Sequence, residues 1–163
     1  MNASQALKES MATPEMVCNG YLADLTDADL FVRPVDGANH IAWQLGHLIS
    51  GERSMIESVC PGSMPALPEG FAEKHTKETA SNDDPSAFCS KDEYLKLAAE
   101  QRAATKAALA KLSDEDLDKP APESMKQIAS NVAGMFSMQP THWLMHAGQW
   151  AVTRRKLGRA PLF

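Results

Sequence analysis

The 163 residues include only three cysteines, Cys18, Cys60 and Cys89. They are odd in number, far apart and without a Cys-x-x-Cys spacing, which argues against a disulfide framework and against a thiolate metal site. Reduced, part-buried thiols in a cytoplasmic protein are the expectation. An excess of positive charge is also missing. Lys and Arg total 16 against 21 Asp and Glu, a formal charge of −5, whereas a general nucleic-acid binder needs a basic face to displace counterions. No apolar run approaches the ~20 residues that span a bilayer. The first ten residues have neither a basic end nor an apolar stretch, so neither membrane insertion nor classical secretion is expected. No segment alternates polar and apolar residues for long enough to make a strand. Two motif absences narrow the chemistry. Without a Glu-x-x-His there is no carboxylate-bridged di-iron bundle, and without His-Glu-x-x-His there is no zinc-protease helix.

At 44 % hydrophobic and 23 % charged, the composition is that of an ordinary globular protein. Its length suits a single domain over residues 1–163. Apolar spacings of three and four predict an all-α fold with four main helices. The first covers about 3–24, with Asn2 and Gln5 as a capping box; Pro14 kinks it, or Thr13-Pro14 starts it afresh. The second covers about 39–59, ending before Cys60-Pro61-Gly62. The third, about 91–112, opens on Ser90 and Glu93. Its buried stripe of Tyr94, Leu97, Gln101, Thr105, Leu109 and Leu112 is rich in alanine, which predicts close helix approach. The fourth, about 125–157, starts from Ser124 and Gln127, is interrupted at Pro140, and closes at Gly158 with Pro161 beyond.

Leu22 to Leu30 recurs as Leu109 to Leu117, and the same offset of 87 carries Ile41-Ala42 onto Ile128-Ala129. Two similar α-hairpins are the natural source. They would form a four-helix bundle, up-down-down-up, with residues 61–89 as a long middle crossover.

Five histidines are present. His142 and His146, one helical turn apart, project from one face with Cβ atoms ~6 Å apart, close enough to share an ion. A third ligand must come from elsewhere. His47 is the best candidate, set among Trp43, Leu48 and Ile49, where an unpartnered imidazole would be costly to bury. His40, seven residues earlier, is about 10.5 Å away along a helix and cannot share that ion. His75, in the irregular segment, is expected to be solvated. Three imidazoles with an open position make a catalytic rather than a structural arrangement. With no carboxylate or thiolate, they suit Zn, Ni, Cu or Fe better than Mg or Ca.

The run His142-Trp143-Leu144-Met145-His146-Ala147-Gly148-Gln149, followed by Arg154 and Leu157-Gly158, resembles the last helix of the DinB-like superfamily. Its pattern is His-x-x-x-His-x-Gly-Gln, then Arg and Leu-Gly. Ile41 to Leu48, with Trp43 and Gly46-His47-Leu48, resembles that family's second-helix signature. The resemblance runs from about Leu22 to Gly158. It implies a four-helix bundle, often dimeric, whose metal ligands fall on His47, His142 and His146, with zinc or nickel bound. Gly148 would then permit close helix packing, and Gln149 would lie near the ion. Many members carry a second histidine where this chain has Met145. Characterised relatives include transferases and isomerases dependent on a low-molecular-weight thiol.

The leading expectation is therefore a metal-dependent enzyme acting on a small-molecule substrate through an activated thiol or water, such as a thiol-dependent S-transferase. Gln44, Gln149, Glu52 and Arg154 are the outer-shell or substrate-contact candidates. For Glu52 and Arg154 a solvated helix face is the simpler expectation. The alternatives are a non-catalytic helical module with a vestigial metal site and adaptable methionines (Met135, Met138, Met145), and a zinc-water hydrolase.

Overall fold

The computed structural model describes residues 1–162 and is all-helical, with no strand among them. Six α-helices, separated in places by single 3₁₀ turns, follow one another as α1 (Ala3–Ser10), α2 (Ala12–Ala23), α3 (Ile41–Val59), α4 (Lys91–Leu109), α5 (Asp114–Asp118) and α6 (Val132–Lys156). None is long and apolar enough to cross a membrane among the described residues. The long α6 packs against α2 and α3, and α3 also packs against α4. Leu22, Leu45, Leu48, Ile49, Tyr94 and Trp150 are sealed between these four helices. Each buried aliphatic side chain contributes about 1.5–3 kcal/mol.

The predicted first helix is two. Pro14 has no N–H for the Ser10 carbonyl and its ring would strike it, so α1 ends at Ser10 and α2 restarts at Ala12. Pro14 then lies in the first turn of α2, where its missing donor has no intrahelical partner to lose. Met11, fully buried, anchors the joint. The capping boxes at Asn2–Gln5 and Ser90–Glu93 form as expected.

α3 begins two residues later than predicted, because His40 Nδ1 accepts the Trp43 N–H and caps the helix. The third predicted helix stops at Leu109, and Ser113 starts the separate α5 through a reciprocal bond with Asp116. Thr26 and Asp29 exchange the same pair of bonds after α2, so the two copies of the repeat share one local structure. The repeat's extension to Ile128-Ala129 does not hold. Ile41 is the first residue of α3, whereas Ile128 and Ala129 precede α6 and Ile128 is exposed.

The fourth helix starts at Val132, not near Met125. Asn131 caps it, while Glu123–Met125 is one 3₁₀ turn in an excursion closed by the Pro120–Asn131 bridge. α6 runs unbroken through Pro140, with Thr141 Oγ1 donating to the Ser137 carbonyl beside it. Gly158, at φ 73°, closes α6. Its N–H reaches Arg155 O and that of Arg159 reaches Arg154 O, the two bonds of a Schellman end.

Candidate metal centre

His142 and His146 sit one turn apart on α6 and face His47 on α3. Their ligating atoms all lie within 4.8 Å of one another. Ring centroids are 5.1 Å apart for His47–His142, 5.5 Å for His47–His146 and 5.0 Å for His142–His146. Ligands each ~2.0–2.1 Å from a shared ion span distances of the same order. No Cys, Asp or Glu joins the cluster among the described residues. Burial, then the neighbouring imidazoles, hold His142 and His146 down to about 4, and burial with nearby Lys77 also lowers His47. All three rings are therefore neutral at pH 7, which is the ligating form.

Two of the three rings have a fixed neighbour outside the cluster. Gln44 Oε1 lies 2.9 Å from His146 Nδ1 and accepts the Trp150 indole N–H at 2.9 Å, while Gln44 Nε2 donates to Asn39 O at 2.6 Å. An amide oxygen only accepts, so the His146 proton sits on Nδ1 and its Nε2 lone pair is free. His47 stacks on Trp43, with centroids 5.1 Å apart and planes 6° from parallel. Trp43 Nε1 in turn donates to Thr76 O and Thr79 Oγ1, in the segment between α3 and α4.

The family profile described as the DinB superfamily matches residues 15–150, most of the chain. The chain belongs to the DinB superfamily. A solved structure described as a conserved protein of a locus from Enterococcus faecalis shares its fold, with a TM-score of 0.72 at 18 % identity over 98 % of this chain and 99 % of that one. No curated protein matches.

Within this DinB superfamily chain, the other candidate residues are placed unevenly. His75 is not solvated: it is 3 % exposed. Its Nδ1 faces Phe71 O and its Nε2 faces the Tyr94 hydroxyl, both at 2.7 Å. Nδ1 must donate to the carbonyl, so Nε2 accepts from Tyr94. The ring lies on Gly46, where a Cβ would stand 2.1 Å from His75 Cδ2. His40 stays out of the cluster, bridging the Trp43 N–H and the Asn82 carbonyl.

Glu52 and Arg154 are not on solvated faces. Glu52 is fully buried, and Arg154 ties α6 to Tyr21 O and Asp24 at the end of α2. Burial pushes the Glu52 carboxyl up, against the pull of Arg102. Gln149 is exposed, and nothing lies within 4 Å of a Cβ at Gly148, so that glycine is not needed for close packing. Met135 is core, whereas Met145 is exposed.

Burial holds His75 down to about 4, below its ordinary 6.5. An unfolded chain takes up that proton first, so the stability present above pH 6.5 is lost as pH falls towards 4, by ~3 kcal/mol. Denaturant unfolding at pH 7.5 and pH 4 should show this loss on top of those from His142 and His146, which burial lowers in the same way. His75→Gln should have a shallower pH dependence by about that amount.

Proposed function

We propose that the chain is a metal-dependent enzyme in which His47, His142 and His146 hold one divalent transition ion, zinc or nickel, with a coordination position left for a nucleophile. The convergence of three neutral imidazoles from α3 and α6, without a carboxylate or thiolate, carries this reading. Three-histidine donor sets suit these ions. A bound ion would supply Lewis acidity, lowering the pKa of a thiol or water held beside it. Gln44 keeps the His146 proton on Nδ1 and fixes the ring plane, and Trp43 backs the His47 ring.

The nucleophile we favour is an external low-molecular-weight thiol, in an S-transfer to a small-molecule electrophile, as the family resemblance implies. The chain's own thiols are poor candidates. Burial pushes Cys18 up to about 12 and also raises Cys60 and Cys89, and thiols held protonated are weak nucleophiles. Native protein at pH 7.5 should accordingly label slowly with a thiol reagent, Cys18 least of all, and all three should label at once in denaturant. The packing of α6 on α2 and α3, and of α3 on α4, supports an up-down-down-up four-helix bundle with 61–89 as the crossover. We take the working form to be a cytoplasmic homodimer.

Elemental analysis tests the centre. About one transition metal per chain is expected, falling below a tenth in His142→Ala and in His47→Ala while helical content is kept. Added zinc at 100 times its Kd should stabilise wild type by about 2.7 kcal/mol and leave both variants unmoved. Wild type free of metal and indifferent to added ions would overturn the reading. Turnover of an electrophile only with an added small thiol supports S-transfer. Hydrolysis without thiol points to water instead, and metal binding without either reaction points to a non-catalytic module.

A further inference from the structure

Gly51 stands one turn after His47 in α3 and is half-buried. A glycine inside a helix lowers its stability, so it calls for a local reason. At Gly46 that reason is the His75 ring, which fills the place of a Cβ. At Gly51 the space is open. Among the described residues other than its chain neighbours, the one side-chain atom within 4 Å of a Cβ there is His142 Cε1, at 3.9 Å. That carbon is bonded to both nitrogens of the His142 ring. Whichever nitrogen ligates, the space at Gly51 borders the ligating atom.

The next turn closes the space. Met55, also half-buried, follows Gly51 by four residues and so shares its face of α3. Its sulfur lies 3.3 Å from Gln139 Nε2, and Gln139 stands one turn before His142 in α6. Between the cluster and the Met55–Gln139 contact there is thus a gap about one helical turn (~5.4 Å) long, with Gly51 as its α3 wall. A gap of that length admits one flat ring, and a thioether sulfur meets an aromatic ring favourably.

Because this space adjoins a ligating atom, its occupant is part of the group held beside the ion. Resting on the metal-dependent reading above, we propose that Gly51 sets which thiol the centre takes: one with a compact aryl body, which lies against Gly51 and ends at Met55.

Cobalt-substituted protein titrated with phenylmethanethiol and with ethanethiol tests this, read from the absorption that thiolate ligation to cobalt produces. Wild type should bind phenylmethanethiol at least about fivefold more tightly. Gly51→Leu, whose side chain fills the gap, should weaken phenylmethanethiol at least about tenfold. It should leave ethanethiol within about threefold and still hold about one cobalt per chain. Gly51→Ala adds only an ordinary contact at 3.9 Å, so it should keep its cobalt and change either affinity by less than about threefold. Both substitutions favour a helix, so α3 should form in each. Several results in cobalt-loaded wild type or its variants would overturn the proposal while leaving the three-histidine centre standing. These are no thiol-dependent absorption, equal affinity of wild type for the two thiols, unchanged phenylmethanethiol binding or an equal loss of both thiols in Gly51→Leu, and cobalt lost from either variant. Wild type that takes up no cobalt would instead overturn the centre, and this proposal with it.

Discussion

Gly46→Ala should destabilise the protein by about 4 kcal/mol or more, a large part of the 5–15 kcal/mol typical of a folded domain. In an exposed helix interior the same change stabilises by up to about 1 kcal/mol, because alanine loses less conformational entropy. Here the new methyl would stand 2.1–2.2 Å from three atoms of the His75 ring, well inside the ~3.5–4.0 Å of an ordinary carbon contact. The ring cannot step aside freely. Both nitrogens are held, by Phe71 O and Tyr94, and Phe71 and Phe88 pack against it. Moving it breaks two buried hydrogen bonds at about 1–3 kcal/mol each. Gly148→Ala is the internal control: nothing lies within 4 Å of its new methyl, so it should be neutral or stabilising. Denaturant midpoints measure both, and Gly46→Ala with His75→Ala should recover part of the loss. Equal effects at Gly46 and Gly148 would show that the contact with His75 is not rigid.

The contact matters beyond stability, since Gly46 immediately precedes His47. Through it the segment between α3 and α4 rests on the turn of α3 that presents the first imidazole. Trp43, one turn earlier, is tied to the same segment at Thr76 and Thr79 while its face supports His47. A stretch without a helix of its own longer than one turn thus holds one ligand of the cluster from two sides.

Much of this was legible where the determinants are local. Helix starts at Asn2 and Ser90 and the end at Gly158 follow from side chains within one turn. The pairing of His142 with His146 is helix geometry, and an imidazole amid the apolar residues around position 47 needs a partner. What escaped sequence reading depends on distant neighbours. His75 looked solvated because its partners Tyr94 and Gly46 lie in other helices, although a glycine inside α3 was a sign of close approach. Pro140 looked like a break, yet α6 continues because the helices packed on either side over-determine it. Glu52 carried a readable signal: it follows Leu45, Leu48 and Ile49 and precedes Ile56 on the buried face of α3. A carboxylate in that stripe had to find a buried cation.

That cation makes Glu52→Ala the other large effect, a loss of about 3–5 kcal/mol. Glu52 Oε1 accepts from Thr105 at 2.7 Å, and Oε2 takes the Trp143 indole N–H and Arg102 Nη2, both at 2.9 Å. Removing the carboxylate leaves a guanidinium, an indole N–H and a hydroxyl buried together without their acceptor, and it is the stranded charge that dominates the cost. The pair itself contributes much less, because taking both ions out of water offsets most of their attraction. Glu52→Leu combined with Arg102→Leu should therefore be much less destabilised than the sum of the two single variants, a coupling of at least about 2 kcal/mol in a double-mutant cycle. Additive losses would instead mean that Arg102 finds solvent when Glu52 is gone. Trp143 adjoins His142, so Glu52→Ala should also weaken metal binding. Glu52→Gln, which keeps an acceptor for the indole, should lose less of that affinity than of its stability.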